Sequence, residues 1–106
     1  MNIFMIDFIA VIIEMEQISQ IVVKTTGELK DKRLIVVGDD SDHQISATIW
    51  GDIVHKLDLQ IGNIVSVKGA RISDYQGKSL NISSDQSIIE IEPSKLPEYS
   101  KIKEWY

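Results

Sequence analysis

Short runs rich in Ile and Val recur along this chain, and each is stopped by turn-forming residues. β-Branched side chains suit pleated strands, and Gly, Asn, Asp and Ser suit the turns between them, so the pattern restricts the chain to an all-β unit. The expected strands are Ile6–Ile13, Gln20–Thr25, Arg33–Val37, Ile45–Trp50, Ile64–Ile72, Leu80–Ile82 and Ser87–Ile91. A break at Glu14–Ser19 separates the first two, and Thr26–Asp31 reads as a polar loop around Gly27. Gly38–His43 is short and polar, which makes its flanking strands a hairpin. Asp52–Leu59 departs from the strand pattern. Its apolar residues Ile53, Val54 and Leu57 have helical spacing, with Asp52 as the expected N-cap. Pro93 ends the sheet, and Glu98–Tyr106 follows Pro97 as a terminal helix with an apolar stripe of Tyr99, Ile102 and Trp105.

Several strands with a short helix after the third is the order of an OB-fold, a five-stranded, partly open Greek-key barrel that binds oligonucleotides across one face and its flanking loops. The 106 residues suffice for one such domain with one core, spanning 1–106. The terminal helix is expected to close the bottom of that barrel, with packing against a neighbouring module as the alternative.

Composition narrows the chemistry. The chain has no cysteine, which excludes disulfides and thiolate metal sites. The apolar opening Ile3–Ile13 is too short to span a bilayer and contains Asp7, and it lacks the basic flank of a signal peptide. No membrane association is expected. Asp39, Asp40, Asp42 and His43 lack the spacing of a calcium loop and read as a hairpin turn. His43 and His55 have no triad partners in sequence, and no nucleophile motif or phosphate-binding glycine loop is present. The expectation is a binding module, not an enzyme, with no cofactor. The net charge of −5 is unusual for a nucleic-acid binder, but the charge is unevenly spread. Lys24, Lys30, Lys32 and Arg33 form one basic cluster and Lys68, Arg71 and Lys78 another, while acids gather toward the end.

Trp50 stands out against this background. In Ile45–Trp50 the apolar Ile45, Ala47 and Ile49 alternate with Ser46, Thr48 and Trp50, so Trp50 lies on the polar face of its strand. A large ring there calls for a partner. Tyr75 lies in the loop Ser73–Lys78, with Lys68, Arg71 and Lys78 around it. Two flat rings in a basic frame suit unstacked nucleobases. Arg71 shares phase with Val65 and Val67, which point inward; a bulge at Gly69 is expected to reset the phase and turn Arg71 toward Trp50.

The stretches ATIWGD, VKGARISDYQGKSL and LPEYSKIKEWY, with IDFIAVI, QIVVKT and the Lys32–Arg33 pair, run in order over nearly the whole chain. Together they resemble the second single-stranded-DNA-binding OB domain of the replication protein A large subunit and its telomerase- or telomere-associated paralogues. The resemblance implies base stacking on Trp50 and Tyr75, backbone contacts from Lys32, Arg33, Arg71 and Lys78, and a loop shaped by Ser73, Asp74 and Ser79. It implies single-stranded DNA as ligand and a nuclear module of a longer tandem-OB protein in replication, repair or telomere maintenance. The implied partners are the neighbouring OB domains of the same chain and other subunits of a replication protein A-like or telomerase complex. An interaction or spacer module with weak DNA binding is the alternative, since OB-folds host both functions.

Overall fold

The computed structural model describes residues 3–39, 43–73, 79–83 and 87–105, with backbone alone at 3, 4 and 73. Nine elements follow in order: β1 (Ile3–Met15), β2 (Ser19–Val22), β3 (Leu29–Gly38), β4 (Gln44–Trp50), α1 (Ile53–Lys56), β5 (Ile64–Ser73), β6 (Ser79–Ser83), β7 (Ile88–Ile91) and α2 (Pro97–Trp105). β1, β3, β4, β6 and β5 pair in that order, and β5 returns to β1. Every neighbour in this ring is hydrogen-bonded, so the five strands form a closed barrel, where the sequence suggested a partly open one. The β4–β6 contact is parallel and the other contacts are antiparallel. This is the OB-fold.

Each strand turns alternate residues into the barrel. Ala10 and Ile12 of β1, Ile35 and Val37 of β3, Ala47 and Ile49 of β4, Val65 and Val67 of β5, and Leu80 and Ile82 of β6 form one buried cluster. Each Ile or Leu so buried contributes roughly 1.5–3 kcal/mol. Val54 of α1 and Leu59 join the same cluster. α1 is shorter than the expected Asp52–Leu59. Asp52 stands at its N-cap position, but with helical backbone angles and no capping hydrogen bond from its side chain. The helix is held by Val54 in the core instead of by its cap.

The middle of β1, at Ala10, Val11 and Ile12, is buried on both faces, which accounts for its apolar run there. Ala10 and Ile12 face the barrel, whereas Val11 packs with Ile64 and with Ile102 of α2, flanked by Ile9, Ile13 and Tyr99. α2 therefore lies on the outside of β1 and does not close the barrel bottom as expected. Its Ile102 finds an apolar surface on the outer side of the first strand.

Thr26–Asp31 also differs from expectation. The turn is completed by Gly27 N–H on the Val23 carbonyl (2.7 Å) and Val23 N–H on the Glu28 carbonyl (2.8 Å), and β3 begins at Leu29. β2 pairs along this extension, with Ile21 opposite Lys30 and Gln20 opposite Asp31. The result is a hairpin arm that carries Lys30 and Lys32 on a strand.

The bulge at Gly69 is present. Ile6 pairs with Ala70 and Phe8 with Val67, so Asp7 alone faces Lys68 and Gly69. Gly69 has φ +79°, a left-handed conformation that a side chain resists. Past the bulge the alternation is reset. Ala70 joins Val65 and Val67 in the core, and Arg71 turns outward.

Candidate nucleic-acid interface

The outer face of β3, β4, β6 and β5 is set by strand register. Trp50 lies opposite Lys32 of β3 and beside Ser83 of β6. Asn81 lies beside Thr48 on one side and opposite Arg71 on the other. Because paired residues share a face, Lys32, Trp50, Asn81 and Arg71 are brought onto one surface by pairing alone. The resulting groove is lined by Ile21, Val23, Lys30, Trp50, Arg71, Ile72, Asn81 and Ser83.

Trp50 is half-buried at the end of β4, just before Gly51 turns the chain away. Its indole Nε1–H donates to Asn81 Oδ1 at 3.1 Å. This bond fixes the ring on a groove wall, so ordering it on binding costs little. The ammonium groups of Lys30 and Lys32 each lie 5.9 Å from the ring centroid, within range of a cation–π attraction. Two residues apart on one strand, they share a face and both reach the ring. The site is thus a flat aromatic surface with a cationic rim on an acidic protein.

The backbone beneath the lysines is held from the opposite face of β3. Asp31 Oδ2 accepts a hydrogen bond from His55 Nε2 at 2.6 Å, and Asp31 Oδ1 accepts one from Gln20 Nε2 at 2.7 Å. Gly51 N–H donates to the Asp31 carbonyl at 2.9 Å. Asp31 thereby joins β2, the end of α1 and the end of β4 around Trp50. The hydrogen bond from His55, then that from Gln20, lowers the Asp31 pKa below 3.8. A carboxylate with a lowered folded-state pKa adds stability that is complete above its unfolded value and is lost as pH falls through the folded value. The advantage in Tm of the wild type over Asp31→Asn is therefore expected to hold above pH 3.8 and to shrink below it, as thermal melts across acid pH would show.

Not every expected contact falls in this groove. Lys32, Trp50 and Arg71 are brought together. Arg33 is not: it pairs with the core residue Ile49, on the face opposite Trp50, and its Nε donates to the Glu16 carbonyl at 2.9 Å. It ties the end of β1 to β3. Tyr75 and Lys78, with Asp74, lie outside the described residues, as do Asp40 and Asp42 of the acidic turn. Lys30, Asn81, Ser83 and Ile21 line the groove without having been singled out. The signal for Lys30 was its spacing from Lys32, which matters only once Leu29–Lys32 is known to be strand.

A second concavity lies at the barrel mouth, lined among others by Ile6, Phe8, Ile45, Ile72 and Leu80. It is larger and more apolar, but among the described residues no Lys or Arg lines it. With no Lys or Arg among its described lining residues it suits a phosphate less well, so the Trp50 groove is the better candidate for a nucleic acid.

Comparison with known proteins agrees with this architecture. Residues 2–91 match the family described as replication protein A OB domain. The chain is 33% identical over 101 residues to the replication protein A 70 kDa DNA-binding subunit of Xenopus laevis, covering 95% of this chain and 16% of that protein. It is 34% identical over 102 residues to the Drosophila melanogaster subunit of the same name, covering 95% of this chain and 17% of that protein. The chain thus spans about a sixth of the length of these relatives. Among solved structures, a replication protein A heterotrimer bound to single-stranded DNA superposes with a TM-score of 0.85 at 23% identity, covering 97% of this chain and 24% of that one. Schizosaccharomyces pombe Pot1pC bound to single-stranded DNA superposes with a TM-score of 0.63 at 15% identity, covering 95% and 87%.

Proposed function

The chain belongs to the replication protein A OB-domain family, and from that premise we propose that it binds single-stranded DNA by stacking a base on Trp50 in the groove between β3 and β5. One observation carries this reading. Trp50 is pinned by Asn81 at the groove wall, with Lys30 and Lys32 beside the ring and Arg71 in the same groove. A base stacking on the indole has its π-face satisfied, while the lysines and Arg71 take up adjacent phosphates. Stacking uses a surface that every base has, so binding is largely sequence-tolerant. Tyr75 is the second ring of this proposal, and Lys78 a further phosphate contact; both follow β5 in sequence. Arg33 serves the fold through Glu16 and contributes to the phosphate path only as nearby charge.

The domain acts as one module of a longer replication protein A-like large subunit in the nucleus, with neighbouring OB domains and other subunits as partners. A role in replication, repair or telomere maintenance follows from that placement. The relatives that support it are a DNA-binding subunit and structures solved on single-stranded DNA.

With Lys30, Lys32 and Arg71 on the phosphates, the log of affinity is expected to fall with the log of salt concentration at a slope of roughly −2, about 0.7 per contact on a single strand. Anisotropy titrations of a labelled oligo-dT over a salt series measure this. A flat dependence refutes the electrostatic part. Absence of binding even at low salt moves the domain to the alternative, a protein-interaction or spacer module of the same kind of complex.

A further inference from the structure

Arg71 reaches the groove only because the bulge at Lys68–Gly69 reverses the phase of β5, and side chains from two other places hold both polar groups of Gly69. Asp7 Oδ1 accepts the Gly69 N–H at 3.0 Å from the facing strand β1. Ser87 donates its hydroxyl to the Gly69 carbonyl at 2.8 Å. Neither Gly69 group has a regular ladder partner, because a bulged residue is left out of the pairing. The same Ser87 oxygen accepts the N–H of Ser83 at 3.2 Å, and Ser87 N–H donates to the Ser83 carbonyl at 2.8 Å. Ser83 lines the groove and stands beside Trp50 in the β4–β6 register. One hydroxyl therefore ties the bulge that aims Arg71 to the strand end that flanks Trp50. Among the described residues Ser87 is the buried polar side chain, at 8% exposure, and polar groups kept in an interior are there for the hydrogen bonds they make.

We infer that Asp7 and Ser87 are positioning residues of the groove: they lock the Gly69 bulge and so fix Arg71 on the face of Trp50. The inference rests on the DNA-binding reading for its consequence, though not for its geometry. Neither residue touches the ligand. Without them β5 is free to pair with β1 without the extra residue, and that one-residue slip beyond Gly69 returns Arg71 to the opposite face.

The test has one arm without DNA and one with it. In the free domain, NOEs between the Arg71 side chain and the Asn81 side-chain amide report Arg71 in the groove. Asp7→Ala and Ser87→Ala are expected to lose them while amide dispersion elsewhere is kept. Asp7→Asn, which retains the acceptor, and Ser87→Thr, which retains the hydroxyl, are expected to keep them. Asp7 is exposed, so Asp7→Ala remains informative even if Ser87→Ala unfolds the domain. In oligo-dT titrations the two alanine variants should reduce the salt slope by about 0.7, the share of one single-strand phosphate contact. Added to Arg71→Gln they should cause no further loss, because they act through Arg71. Folded alanine variants with unchanged NOEs and slope would overturn the inference, as would losses that add to that of Arg71→Gln. A wild-type domain that binds no oligo-dT refutes the proposed function, and the NOE arm still decides the positioning role.

Discussion

Trp50→Ala is expected to weaken oligo-dT binding by about 1–3 kcal/mol, roughly 5- to 150-fold, while the barrel stays folded. The ring is half-buried on the outer face of β4, and its contacts are those of the groove: Asn81 through the indole N–H, and Lys30 and Lys32 over the ring. Removing it deletes the surface proposed to stack a base, and it opens no hole in the core cluster, to which Trp50 does not belong. The Asn81 carbonyl it releases lies at an open groove, where water can replace the lost donor. Trp50→Phe keeps a π-face and loses only the bond to Asn81, so it should recover much of the affinity. Anisotropy titration for binding and thermal melting by circular dichroism for folding separate the two effects. Trp50→Ala with unchanged affinity would remove stacking on this ring from the mechanism.

The strand order, the β3–β4 hairpin and the face of Trp50 were legible because each depends on a local alternation. The bulge at Gly69 was legible for a different reason. Arg71 was out of phase with Val65 and Val67, and a glycine stood between them where the chain could absorb one extra residue. What could not be read depended on contacts distant in sequence. Thr26–Asp31 looked like a polar loop because Glu28, Lys30 and Asp31 are charged; pairing with β2 makes the end of it a strand and delivers Lys30 to Trp50. Lys32 and Arg33 looked like one basic pair, but neighbouring strand residues point to opposite faces. Only Lys32 reaches the groove, and Arg33 is taken by the Glu16 carbonyl. The apolar stripe of the terminal helix was visible, whereas its target was not, since the outer face of β1 is as apolar as the inner one. Tyr75 and Lys78 lie outside the described residues, so their place in the groove is a matter for the binding measurements.

Ile49, one residue before Trp50, should behave in the opposite way. It is 1% exposed and points into the barrel cluster alongside Ile12, Ile35 and Ile82. Ile49→Ala removes buried methylene and methyl groups and leaves a cavity that a closed barrel cannot readily collapse, because its backbone is fixed by hydrogen bonds all round the ring. The expected cost is about 2–5 kcal/mol of folding stability. At roughly 4–8 °C per kcal/mol for a domain near this size, Tm should fall by at least about 8 °C. Ile49 does not line the groove, so the fraction of Ile49→Ala that remains folded should bind oligo-dT close to the wild-type level. Adjacent positions on one strand thus divide the two properties: one ring lines the proposed DNA groove and one aliphatic side chain holds the barrel. Equal losses of affinity in the folded fractions of Trp50→Ala and Ile49→Ala would mean that the groove is maintained by the core and not by its own surface contacts. The Asn81 bond and the Lys30 and Lys32 contacts would then be bystanders to the position of the ring.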